Sequence, residues 1–192
     1  MTEIFHQHQQ ENSFLGFWLY LMTDLIMFAA LFASYIVLKN NNFNSPGGEE
    51  LFNLSLVLFS TIVLLTSSFT CGLAGLYVEK RNVRATSFWL LLTLILGSFF
   101  LFLGYKELNN LVLEGYSWQT NAFLSAFFSL IILHGLHIAA GILWITVSFF
   151  QLRSFGLSDF VASKLRRLFL FWHFLDVVWI FIFTIVYLYA HI

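Results

Sequence analysis

A lone cysteine, Cys71, has no partner for an intrachain disulfide, and it rules out the paired-cysteine clusters that hold zinc. Proline occurs 1 time and glycine 11 times in 192 residues, so little interrupts a long helix. Charged residues make up 10% of the chain, where soluble domains carry about 25%. Lys and Arg number 9 against 10 Asp and Glu, a net charge of -1. With no basic patch beyond short loops, a nucleic-acid surface is excluded. Nucleophile elbows, phosphate-cradling glycine loops and zinc motifs are also missing. Residues 1–13 hold no Lys or Arg and lead into an apolar run too long for a cleaved signal peptide. They read as an ordinary solvated tail, in which His6 and His8 are solvated side chains in preference to a metal site.

What the chain does have is apolar length. Hydrophobic residues reach 59%, with 25 Phe and 6 Trp, and the mean hydropathy is +0.83. Five apolar runs follow the tail, at about 14–38, 52–78, 87–105, 122–150 and 168–189. A hydrocarbon core of roughly 30 Å needs about 20 helical residues, and only a helix or a closed barrel satisfies its backbone there. The runs are continuous instead of alternating, which excludes a barrel. The pattern predicts an all-α polytopic protein: one membrane domain, 14–192, of five transmembrane helices, with no repeat and no soluble domain. The connections are a turn-rich 39–51 containing NNNFNSPGGEE, a basic 79–86, a mixed 106–121 and a basic 151–167. Lys80, Arg81, Arg84, Arg153, Lys164, Arg166 and Arg167 fall in the second and fourth of these, whereas Lys39 and Lys106 lie opposite. The positive-inside rule then places 79–86, 151–167 and the N-terminus in the cytoplasm, and the C-terminus outside.

Ionisable groups inside these runs are the candidate functional residues, because a charged group at the bilayer centre costs about 2.5–3.5 kcal/mol on insertion scales. His173 and Asp176 in the last run must therefore face protein. Three apart, they share a helix face that continues through Ile180, Phe183 and Tyr187, and they read as a buried polar pair. Asp24 lies about 15 Å along the first span at 1.5 Å per residue. Two readings of it stand: a proton-linked carboxyl, or a hydrogen-bonded one that organises two helices. His134 and His137 share a face, and with His173 they raise a metal or haem reading. Depth opposes a compact site, since His137 comes about 20 Å from the cytoplasmic side and His173 about 8 Å. The histidines are accordingly expected as hydrogen-bonded packing, with no metal ligand set in the chain. Gly135, Ala139, Ala140 and Gly141, and Gly72 and Gly75, form small-residue patches that permit close helix approach. Glu107 and Glu114 are expected at the solvated outer end of the third span. A haem-bearing anchor using His134 or His137 is one rival. A small transporter coupling through Asp24 is another, which the lack of repeats and broken helices opposes.

Three segments together resemble subunit III of the haem-copper respiratory oxidases: LGFWLYLMTDLIMFAALFASY at 15–35, SAFFSLIILHGLHIAAGILW at 125–144 and LFWHFLDVVWIFIFTIVYL at 170–188. The HGLHxxxG pattern, His134 to Gly141, and WHFLDVVWIF, Trp172 to Phe181, carry the likeness, which extends over the chain after the tail. Five spans and the Asp of MTD at 22–24 resemble the bo-type ubiquinol oxidase branch; the cytochrome c oxidase version usually has seven spans and a Glu there. The resemblance implies a bacterial plasma-membrane subunit without haem or copper, packed against a catalytic subunit I that holds those cofactors, reduces oxygen and pumps protons. It also implies bound phospholipid, for whose headgroups Arg153, Lys164, Arg166 and Arg167 are the candidates, and an influence on proton uptake and on durability during turnover. A cytochrome c oxidase subunit III is the nearer alternative, separated by the electron donor.

Overall fold

The computed structural model describes residues 2–39 and 54–188. Among these, five helices are long and apolar enough to cross a membrane: α1 (Thr2–Leu38), α2 (Leu54–Glu79), α3 (Val83–Leu113), α4 (Ala122–Phe155) and α5 (Asp159–Ile182). The last continues into a π-helical turn, Phe183–Leu188. The protein is an all-α transmembrane bundle.

Helix ends fall where a side chain can cap the backbone, not where the apolar run stops. Asn82 accepts the Ala85 N–H, Asn121 the Leu124 N–H and Ser158 the Val161 N–H, each satisfying a donor that the first helical turn leaves free. Hence α3 begins before residue 87 and runs past 105. The expected basic loop 151–167 shrinks to a three-residue connection, 156–158, in which Gly156 takes the left-handed φ of +64°. Arg153 therefore rides on the end of α4, and Lys164, Arg166 and Arg167 on the start of α5. The expected tail is helical from Thr2, in keeping with the absence of Pro and Gly before Gly16. The side chains of His6 and His8, and the turn-rich stretch 40–50, lie outside the described residues.

In the turn between α2 and α3, Arg81 takes φ +54° and its guanidinium donates to the Leu157 carbonyl and the Asp159 carboxylate. The two basic turns are thereby joined. Both partners are exposed, so the ion pair itself contributes about 0–1 kcal/mol.

α2, α3, α4 and α5 close into a ring, each packed on its chain neighbour and α5 back on α2, while α1 lies outside against α4 and, less extensively, α5. Small residues let the ring close. A Cβ on Gly97 would stand 2.7 Å from Trp172 Cη2, and one on Gly141 3.0 Å from its Cζ3, so the fully buried indole is wedged between α3 and α4. Polar side chains tie the helices across the ring, where water cannot compete: the Trp179 indole N–H donates to Thr61 Oγ1 at 3.0 Å, the Ser67 hydroxyl to the Thr93 carbonyl at 3.2 Å, and the Thr70 and Thr93 hydroxyls meet at 2.9 Å.

Candidate functional site

α1 buries a narrow stripe, Leu21, Asp24, Phe28 and Tyr35, at spacings of three, four and seven that keep one face toward a neighbour. The carboxyl of Asp24 is thus carried on the one seam by which α1 is held. α4 answers with His134, Ile138, Gly141, Ile145, Ser148 and Leu152, all buried. His137, beside that row, brings its Nε2 to 3.5 Å from Asp24 Oδ2. Its Nδ1 lies 2.8 Å from the Leu133 carbonyl oxygen, which can only accept, so Nδ1 carries a hydrogen. Asp24 Oδ2 makes no hydrogen bond among the described residues, so the two groups meet as a close polar contact between α1 and α4. Phe28, fully buried, closes over the imidazole with ring centroids 5.4 Å apart. Tyr20, one turn before, interacts with the same carboxyl.

His134 does not join that pair. Its ring stacks on Trp179 at 5.3 Å and meets the edges of Phe28 and Phe100 at 6.4 and 6.2 Å. Among the described residues neither ring nitrogen has a hydrogen-bond partner. It is held by aromatic packing, which corrects the expectation that both histidines pack through hydrogen bonds.

The α5 site also departs from expectation. Asp176 is buried at 5% exposure, but the His173 side chain is 45% exposed, so the two are not a buried pair. His173 turns to α2, where its Nδ1 meets Ser68 Oγ at 2.7 Å and its ring lies against Gly72. Asp176 Oδ2 stands 3.8 Å from that Nδ1, outside hydrogen-bonding range. Ile180, on the stripe expected to meet a partner helix, is 45% exposed. The face of α5 that meets α4 instead carries Phe171, Trp172 and Trp179. Side chains on a helix lean toward its N-terminus and a buried stripe drifts around the axis, so three-residue spacing alone does not give the azimuth.

Glu107, expected in solvent, is half-buried against Tyr187, with its Oε1 shut off from the surface. A signal for it exists in the sequence. Thr86, Leu90, Thr93, Gly97 and Phe100 alternate by four and three along the buried side of α3, and two further steps reach Gly104 and Glu107. Among the described residues no group of three or more His, Cys, Asp or Glu side chains is placed to hold a metal. The Asp24–His137 contact joins the outlying helix to the ring.

Comparison with known proteins bears on the whole chain. Residues 5–191 match the family described as "Cytochrome c oxidase subunit III". Over 186 residues the chain is 44% identical to the cytochrome bo(3) ubiquinol oxidase subunit 3 of Pseudomonas aeruginosa, covering 95% of this chain and 89% of that one. It is 43% identical over 185 residues to the quinol oxidase subunit 3 of Bacillus subtilis, covering 95% and 91%. It is also 43% identical over 178 residues to the cytochrome c oxidase subunit 3 of Bacillus sp. (strain PS3), covering 93% and 86%.

Proposed function

From the premise that this chain belongs to the cytochrome c oxidase subunit III family, we propose that it serves in a bacterial plasma membrane as the non-catalytic subunit III of a proton-pumping haem-copper quinol oxidase. The carrying observation is near full-length similarity to subunits of ubiquinol and quinol oxidases. Haems, copper and the reduction of oxygen belong to the partner catalytic subunit. This chain supplies a packed helical surface, lipid contact and, at Asp24 and His137, one exchangeable proton about halfway through the membrane. Phe14, Trp18, Leu25 and Ile26 of α1 are exposed and present an apolar face to lipid and to the catalytic subunit.

Copurification tests the reading. The tagged chain is expected to bring with it a haem-bearing oxidase oxidising quinol, and recovery of the chain without haem would sink it. Stripping the chain from that complex is expected to leave haem content, copper and the initial rate of oxygen reduction unchanged, and to shorten the working lifetime. Loss of a haem on removal would instead make a histidine of this chain a ligand.

Orientation follows from the basic excess at the α2–α3 and α4–α5 turns, which we place in the cytoplasm with the N-terminus, leaving the C-terminus outside. Asn82 and Ser158 are helix caps, so cysteines are better introduced at the exposed Lys80 and Phe155, with Gln119 as the opposite-side control. Cys71 is buried and gives a silent background. An impermeant thiol reagent on intact cells is expected to modify Gln119→Cys alone; modification of Lys80→Cys or Phe155→Cys would invert the topology.

A further inference from the structure

Arg84 stands in the first turn of α3 and Arg153 in the last turn of α4, and the two share one groove of about 370 Å³. Ser87, Phe88, Leu91 and Phe149 line it too, and no carboxylate does. Of the other cations at this end, Arg81 holds Asp159 and the Leu157 carbonyl, Lys164 reaches Gln151 Oε1 at 3.5 Å and lies over the Phe160 ring, Lys80 lies over the Tyr77 ring, and Arg166 and Arg167 do not line this groove. Arg84 has no hydrogen bond or ion pair among the described residues, and Arg153 only rests its guanidinium 5.9 Å over the Phe149 ring. Two cations side by side with no anion repel each other, and a phosphate between them converts that cost into charge-assisted hydrogen bonds. The Ser87 hydroxyl adds a donor in the same wall.

The occupant's other end follows from the apolar side. Phe88 and Leu91, 62% and 41% exposed, lead along α3 from Arg84 toward the membrane interior, where an acyl chain lies. A zwitterionic headgroup would bring a third cation into a groove without an acceptor for it, so the fit is to a net negative lipid. We propose that this groove binds the phosphate of an anionic phospholipid, with Arg84 and Arg153 as its ligands and Phe88 and Leu91 against an acyl chain. The proposal rests on the subunit reading above and deepens its lipid contact: it adds Arg84, which lay outside the expected headgroup set, and leaves Lys164, Arg166 and Arg167 out.

The test uses the whole oxidase in mild detergent. Native mass spectrometry of wild type is expected to show one anionic phospholipid retained on this subunit, and Arg84→Gln/Arg153→Gln is expected to lower its retention about tenfold or more, since each lost charge-assisted contact is of order tenfold in affinity. Arg84→Lys/Arg153→Lys is expected to keep part of it. After delipidation, phosphatidylglycerol is expected to raise the melting temperature of wild type and not of the Gln variant, while phosphatidylcholine and inorganic phosphate do neither. An equal rise with inorganic phosphate would assign the groove to a free anion and overturn the lipid; equal retention in wild type and Gln variant would overturn the site. Should the double variant not assemble, Arg84→Gln and Arg153→Gln singly carry the same comparison. A complex that copurifies with haem but holds no lipid here defeats this proposal alone, whereas a chain that brings no haem defeats the subunit reading.

Discussion

Replacing Gly97 by leucine is expected to leave no assembled subunit in the membrane, and replacing it by alanine to destabilise the bundle by about 1–3 kcal/mol, the usual cost of overpacking a filled site. The added Cβ would stand 2.7 and 2.8 Å from Cη2 and Cζ2 of Trp172, closer than carbon atoms approach. A flexible side chain could swing aside, but this one is an indole with 0% exposure. Its opposite edge already lies against Gly141, whose own Cβ position is 3.0 Å from Cζ3. Motion away from α3 drives the ring into α4. The measure is the amount of chain assembled in the oxidase and the melting temperature of the purified complex. Trp172→Phe in the Gly97→Ala background is expected to recover part of the loss, because the smaller ring vacates the space that the new methyl needs, whereas Trp172→Phe alone leaves a cavity and destabilises. Wild-type levels of the Gly97→Leu variant would show that α3 and α5 do not meet at this glycine.

Asp24→Leu is expected to lower the amount of assembled complex several-fold, and Asp24→Asn to leave it near wild type. Leucine deprives His137 Nε2 of its partner in a place that water does not reach, and a buried polar atom left unmatched costs about 1–3 kcal/mol. The asparagine amide can donate to the same nitrogen. Removing both partners together is the stronger check: Asp24→Leu/His137→Leu is expected to assemble better than Asp24→Leu, since no orphaned group remains. Equal assembly of the Asn and Leu variants would contradict the pairing. Asparagine can hydrogen-bond to His137 but cannot bind or release a proton, so this variant isolates the second proposed role. Its initial rate is expected to match wild type while activity decays faster during turnover. An unchanged decay would reduce Asp24 to a helix organiser.

The candidate site was legible one residue at a time and not as a set. Asp24, His134, His137, His173 and Asp176 all announce themselves as ionisable groups in apolar runs. Which of them meet is a matter of azimuth and depth. Asp24 and His137 come together, His134 is boxed by Trp179, Phe28 and Phe100, and His173 looks away from α4 toward Ser68. Glu107 was passed over because its neighbourhood, YKELNN, is polar. Only the seam running from Thr86 through Gly97 and Phe100 shows that its side of α3 faces inward.

The amino-acid sequence by itself determined that this chain crosses a membrane five times as helices, because the backbone of a long apolar run has no other way to satisfy its hydrogen bonds in hydrocarbon. It also carried the family in three motifs and the polar residues that lipid forbids. The tertiary structure alone decided which faces meet. A helical period says which side chains share a face, but nothing in it says where that face points. Here the direction was set by how closely two backbones can approach at Gly97 and Gly141 around one buried indole, and that closeness turned Trp172 and Trp179 toward α4 and left His173 to α2. Local capping at Asn82, Asn121 and Ser158, not hydropathy, set where the helices begin, since lipid thickness limits how far a run must be apolar and places no limit on how far a helix continues.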